Sequence, residues 1–216
     1  MEKESLVKYL KENGLYIVKK TDFETLANVA GSAYENYPLN MYVYNGKYDL
    51  ESTKQTIRVN LYSMFDVGII YADSEELNGF VILLPPGYTG IKTLSFIWSG
   101  GFKIIYNAGI TAFKKMVDFE SFAMDLKKKY TNHEDWYVYN LCVDKKAQSK
   151  KIASKLMKPI INYFKTNKKI CYLETNADSN VPIYEHFGFK VLEKTMVPNS
   201  NAPHYAIRWK IIYFII

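Results

Sequence analysis

The chain has 216 residues and 48% hydrophobic content, enough for one domain with a sizeable core and too apolar for a disordered chain. Its net charge is +6, but the lysine runs 127–129 and 145–146 are too short for nucleic-acid arms, so no nucleic-acid partner is expected. The excess reads as a solvated surface or as attraction to a small polyanion. Two cysteines and three scattered histidines give neither a disulfide framework nor a metal site, and they suit a reducing, cytoplasmic setting.

In chain order, Ser5 to Asn13 reads as a short helix ended by Gly14, and Leu15 to Val18 as a strand. Residues 1–13 are charged and amphipathic, unlike a signal peptide. Thr21 or Asp22 caps a helix from Phe23 to Tyr37, with Glu24 at the capping-box offset and Pro38 closing it. Tyr42 to Tyr48 is expected as loop, and Leu50 to Phe65 as a third helix. Val67 to Ala72 and Gly79 to Leu84 flank a polar turn, the pattern of a β-hairpin.

Residues 88–135 form a long aromatic and aliphatic insertion with helical spacing at Trp98, Phe102, Tyr106, Phe113, Met116, Phe119 and Phe122. They read as ordinary helix core or as the wall of a binding pocket. Thr93 to Phe113 is the most membrane-like stretch, but Lys103, Asn107 and glycines interrupt it. Buried helices are expected there, with no membrane partner.

Residues 136–194 carry the clearest order. Trp136 to Val143 has the length and residue types of a buried strand. A helix from Ser149 to Asn167 follows, with Ile152, Leu156, Ile160 and Phe164 in one stripe. A strand from Ile170 to Thr175 leads to a short helix at Pro182 to Phe187, capped by Gly188. Strands from Phe189 to Val197 and Tyr205 to Ile215 complete an α/β chain read as a single domain over 1–216. A strand feeding a helix start is a ready anion site, because the first helical amides have no partner within the helix.

Three motifs in this region resemble the acetyl-CoA-binding core of the GNAT superfamily of N-acetyltransferases. They are most similar to the branch that includes puromycin N-acetyltransferase. Leu141-Cys142-Val143-Asp144 with Gln148-Ser149-Lys150-Lys151-Ile152-Ala153 stands where that family has its pyrophosphate loop, Q/R-x-x-G-x-G/A. Leu173-Glu174-Thr175-Asn176 with Asn180 stands at its fifth strand and CoA-contacting asparagine, and Tyr184 to Phe189 matches Y-E-x-x-G-F. Ser149 and Lys151 replace the usual glycines. They would either narrow the phosphate cradle or add lysine contacts to it.

The resemblance implies a GNAT-type acyl-CoA N-acyltransferase fold, a mixed central sheet flanked by helices. It implies direct transfer of acetyl from acetyl-CoA to a primary amine of a small molecule, by a monomer or homodimer. Backbone groups of Leu141, Cys142 and Val143 would pair with the pantetheine arm. Gln148, Ser149, Lys150, Lys151, Ile152, Ala153 and Ser154 would hold the pyrophosphate, and Asn176 and Asn180 would also hold CoA. Tyr184 would be the general acid. Glu134 ranks first as general base, with Asp135, His133 and His204 as alternatives. Nothing in the sequence near Cys142 would activate it as a nucleophile. A CoA-binding or partner-binding protein with little turnover is the competing reading.

Overall fold

Apolar periodicity decides most of the elements in the computed structural model, which describes residues 2–91, 93–132 and 134–209. The order is α1 (Glu2–Glu12), β1 (Tyr16–Ile17), α2 (Phe23–Ala33), α3 (Pro38–Val43), α4 (Leu50–Met64), β2 (Ile69–Ala72) and β3 (Gly79–Leu84). Then come α5 (Thr93–Trp98), α6 (Phe102–Tyr130), β4 (Asp135–Val143), α7 (Ile152–Thr166), β5 (Ile170–Thr175), α8 (Val181–His186), β6 (Lys190–Met196) and β7 (Pro203–Trp209). The strands form one sheet in the order β1-β2-β3-β4-β5-β7-β6. Only β4 and β5 run parallel, and the other neighbours are antiparallel.

Helices cover both faces, because alternate strand residues are apolar on both sides. On one face Trp136, Val138 and Leu173 pack with Leu6 and Leu10 of α1 and with Leu156, Ile160 and Phe164 of α7. On the other, Ile70, Phe80, Ile82 and Tyr172 pack with Phe23 and Leu26 of α2 and Ile57 and Leu61 of α4. Gly79 lets α7 lie close to β3. A Cβ there would stand 2.8 Å from Ile152 and 2.9 Å from the Cys142 carbonyl.

Several boundaries differ from the sequence reading. Pro38 starts α3 rather than closing a helix, because its missing N–H costs nothing at a first helical position. Part of the expected loop at 42–48 is therefore helical. The capping box from Thr21 does not form, since Glu24 instead pairs with Arg58 through two bonds of 2.6 and 2.8 Å. The insertion is two helices, and α6 breaks at Gly109, whose φ of 81° and ψ of 164° leave the helical region. The last strand is described only to Trp209, so the expected extension to Ile215 lies outside the described residues.

What positions the site is a change of neighbours along β4. It pairs with β5 only from Asp135 to Val138, against Ile170 to Leu173. Beyond that, β5 continues on β7 while β4 continues on β3 as far as Val143. The two parallel strands thus part into a wedge. The β3–β4 register also slips between Ile82 and Leu83, leaving Tyr139 as the extra residue of a bulge.

Candidate active site

The edge of β4 from Tyr139 to Val143 faces the wedge with no strand beside it. Extended backbone without a neighbour can accept a ligand that pairs as a strand would. Leu141, Cys142 and Val143 all lie on this edge. The bulge places Tyr139 and Asn140, two consecutive residues, along one cavity. An undisturbed strand would have sent them to opposite faces.

The chain after β4 turns over Asp144, whose carboxylate accepts from the Lys146 amide at 2.8 Å. It then reaches Ser149 and Lys151, both left-handed, with φ of 66° and 63°. These positions would suit glycine, and the loop keeps a glycine conformation with side chains present. The left-handed state costs a side-chain-bearing residue about 1–2 kcal/mol. α7 begins at Ile152 with no side-chain cap at Lys151. The 15-residue helix thus presents the uncapped first-turn amides of Ile152, Ala153 and Ser154 beside the wedge, where a negative group is favoured. Gln148, Lys150 and Lys151 are exposed around this turn. Ser149→Gly is expected to raise the unfolding midpoint by about 2–4 °C, the equivalent of about 1 kcal/mol. Thermal unfolding checks this, and an unchanged or lower midpoint would mean that the serine side chain compensates for its backbone.

A cavity of about 610 Å³ lies on the other side of the wedge. Its walls come from the turn between α2 and α3, from α3–α6, from β4 and from the end of β5. Toward the strands it is polar, with Glu120, Glu174, Tyr139, Asn140 and Asn176. Toward α4, α5 and the first part of α6 it is apolar, with Ile57, Phe96, Ile104, Phe113 and Met116. Phe113 and Glu120 are about 10 Å apart along α6.

Glu174 accepts hydrogen bonds from Tyr137 at 2.9 Å and Tyr172 at 2.7 Å. The Nε2 of fully buried His204 stands 3.7 Å from it with no hydrogen-bond partner. The other ring nitrogen, Nδ1, accepts from the Asn176 amide at 3.0 Å, which assigns the neutral ring's proton to Nε2. Glu120 has a different environment. Its carboxyl is pushed up to about 7, first by desolvation and then by the charge of Glu174, with Tyr139 and Lys127 partly offsetting both. Asn140 donates to the Tyr34 hydroxyl at 2.6 Å, while its Oδ1, deeply buried on the cavity wall, has no partner.

Tyr184 is buried on α8, and burial raises its phenol, with Tyr37 and Cys142 adding to the effect. Cys142 itself is buried and its thiol is pushed up to about 12 by desolvation, so it is a poor nucleophile. Asn176 and Asn180 are both engaged internally. The Asn176 side chain donates to the Pro203 carbonyl at 2.9 Å, and Asn180 donates to Thr175 at 3.0 Å.

The carboxylates placed before β4 do not reach the cavity. Glu134 is exposed at the closed end of the β4–β5 pair. It stands roughly 16 Å along the strand from Tyr139. Asp135 is buried and held by Arg208 through bonds of 2.8 and 2.9 Å. His133 lies outside the described residues, and among the described residues His204, beside Glu174, is the one histidine at the site.

Glu120 and Glu174 escaped the sequence reading, yet both left a signal. Glu120 sits in the apolar stripe of α6, in phase with Phe113, Met116 and Ala123, where a carboxylate is out of place. Glu174 stands inside an otherwise apolar strand.

A seven-stranded mixed sheet, helices on both faces and a wedge between parallel β4 and β5 make this the fold of the GNAT acetyltransferases. The family model for the acetyltransferase (GNAT) domain matches residues 121–201, which span β4 to β6 with the wedge and α7. An uncharacterized N-acetyltransferase of Schizosaccharomyces pombe is 24% identical over 85% of this chain and 77% of its own. Two solved structures share the fold at low identity. A Corynebacterium glutamicum protein named as a histone acetyltransferase and related acetyltransferase has a TM-score of 0.62 at 13% identity, over 94% of this chain and 98% of its own. The polyamine N-acetyltransferase of Drosophila melanogaster has a TM-score of 0.59 at 10% identity, over 91% and 99%.

Proposed function

We propose that this chain is an N-acetyltransferase that moves acetyl from acetyl-CoA to a primary amine carrying one positive charge and an apolar body. One observation carries the reading. Glu120, with its carboxyl raised to about 7, lines the polar end of a cavity whose wall includes the strands that part at the wedge. A general base works best with a pKa near the operating pH.

The residues present fit the donor. The free edge at Leu141, Cys142 and Val143 would pair with pantetheine, and the turn from Gln148 to Ser154 would hold the pyrophosphate. We read 136–194 as the donor side and 88–135 as the acceptor side. Acetyl-CoA, when bound, supplies an acetyl thioester. Glu120 takes the proton of the acceptor ammonium, and Oδ1 of Asn140 accepts an N–H and orients the amine. The N–C bond forms as the C–S bond breaks, Tyr184 gives its proton to the departing sulfur, and the second surplus N–H proton leaves the new amide nitrogen to solvent, from which Tyr184 is reprotonated. Burial favours the protonated phenol, which is the form an acid needs. Glu120 thus replaces Glu134 as the base. In this reading Asn176 and Asn180 shape the end of β5 rather than contact the donor directly.

The acceptor follows from the wall. Among the described residues its acidic side chains are Glu120 and Glu174, both at the polar end, and no described lysine or arginine lines it. A carboxylate or phosphate on the acceptor would find no counter-charge, and a polyamine would have to bury its remote cations against Phe96, Ile104 and Phe113. The finer likeness to the puromycin N-acetyltransferase branch rests on the three motifs together, within residues 141–153, 173–180 and 184–189. A cytoplasmic setting is supported by the two buried free cysteines.

Thermal unfolding across an acetyl-CoA series tests donor binding. The midpoint is expected to rise with ligand concentration by mass action. No rise at millimolar concentration would favour the partner-binding reading. Tyr184→Phe is expected to lower kcat by roughly 100-fold with that rise unchanged, the lower end of the range of lost acid catalysis. A matching loss of the ligand-induced rise would give the hydroxyl a binding role instead.

A further inference from the structure

The segment that walls the cavity with its inner side leaves its outer side uncovered. Leu94, Trp98, Phe102, Tyr106 and Ile110 recur every four residues along α5 and the first part of α6. They are 70, 86, 61, 90 and 65% exposed. Leu94 and Trp98 share one side of α5, and Phe102 and Tyr106 share one side of α6 before its break at Gly109; with Ile110 just past that break they make the exposed apolar strip of this segment. The inner residues Phe96, Ile104 and Phe113 are committed to the cavity. The strip is therefore not excess core.

Its charge is one-sided. From Pro85 to Val117 the chain has Lys92, Lys103, Lys114 and Lys115 and neither Asp nor Glu. Lys115 turns inward to the Tyr42 carbonyl at 2.8 Å and Asn45 at 2.7 Å. Lys103 and Lys114 are exposed and form no ion pair among the described residues. Lys103 follows Phe102 in the chain, and Lys114 stands four residues beyond Ile110.

We propose that this face rests on an anionic lipid surface. Trp and Tyr present an apolar ring with a polar tip, which suits the headgroup boundary, and Lys103 and Lys114 meet negative headgroups. A second copy of the chain is the poorer occupant, because facing strips would bring Lys103 and Lys114 against like charge. No helix among the described residues is long and apolar enough to cross a membrane. The segment lies on the surface rather than spanning it. This proposal departs from the sequence-based expectation of no membrane partner, which rests on the lack of a spanning segment.

Co-sedimentation of the full chain with vesicles tests the proposal. Phosphatidylcholine vesicles containing phosphatidylserine are expected to bind roughly ten-fold more protein than phosphatidylcholine alone, and added salt should weaken the binding. Trp98→Ser with Phe102→Ser and Tyr106→Ser should lose vesicle binding while keeping the native circular dichroism spectrum. Lys103→Glu with Lys114→Glu, which spares every aromatic residue, should lose the preference for anionic vesicles. No binding to anionic vesicles, or binding that neither variant changes, would overturn the proposal. So would a concentration-dependent dimer in sedimentation equilibrium that the serine variant abolishes, since that would assign the strip to self-association. None of these outcomes depends on acetyl transfer.

Discussion

Glu120→Gln is expected to lower kcat by about two to three orders of magnitude, the usual size of a lost general base. The amide keeps the shape and the polar contact but cannot take a proton. The pH profile gives the sharper signature. The Glu120 carboxyl titrates at about 7 in the folded chain. The active carboxylate form therefore accumulates as pH rises, and the wild-type rate should climb through about pH 7 and then level. The variant should lose that rise.

The same residue should make stability move the opposite way. Its ordinary value is 4.5, so the folded chain binds a proton more tightly than the unfolded chain does. That favourable contribution is fully present below about pH 4.5 and is lost as pH rises through about 7. The residual cost at pH 8 is about 2 kcal/mol, less than the shift alone would give, because the side chain faces a cavity that opens to solvent. Glu120→Gln should then be less active and more stable at pH 8. Thermal unfolding and initial rates on one preparation check both. A variant that is less active and also less stable at pH 8 would indicate a structural carboxylate.

Asp135→Ala is expected to cost about 3 kcal/mol, a fall in the unfolding midpoint of about 6–12 °C. Asp135 is buried and grips Arg208 with both carboxylate oxygens, which ties β4 to β7 across β5. Removing it leaves a partly buried guanidinium without its counter-charge, which is more costly than losing an exposed pair. The pair also sits at the closed end of β4 and β5, so it fixes the hinge from which the wedge opens. A loss below about 1 kcal/mol would mean that water screens the pair as it does at a surface.

These two carboxylates show what the sequence carried and what it did not. Asp135 and Glu134 attracted attention because they precede the donor strand. Position along the chain said nothing of which end of that strand opens. The opening depends on where β5 leaves β4 for β7, and pairing between distant segments has no local signal. By contrast α7 was legible, since Ile152, Leu156, Ile160 and Phe164 repeat at the helical period and all pack inward. The β2–β3 hairpin was legible as two apolar runs flanking a polar turn. Pro38 misled, because a proline that cannot continue one helix can begin the next. Ser149 and Lys151 left two readings open, a narrowed cradle or added lysine contacts, and nothing in the sequence signalled that the backbone keeps the left-handed turn that glycine would take. Glu120 was visible as a charge in an apolar stripe, but the stripe's meaning depended on the cavity it faces.

The most direct test of the central claim is release of CoA thiol from acetyl-CoA, followed from pH 6 to pH 9 with three amines. They are phenethylamine, spermidine, and an amine that carries a carboxylate. The account predicts release with phenethylamine that climbs through about pH 7, little with the other two, and loss of the climb in Glu120→Gln. Release that Glu120→Gln leaves unchanged, or no release with any of the three amines from an enzyme that acetyl-CoA stabilises, would contradict it.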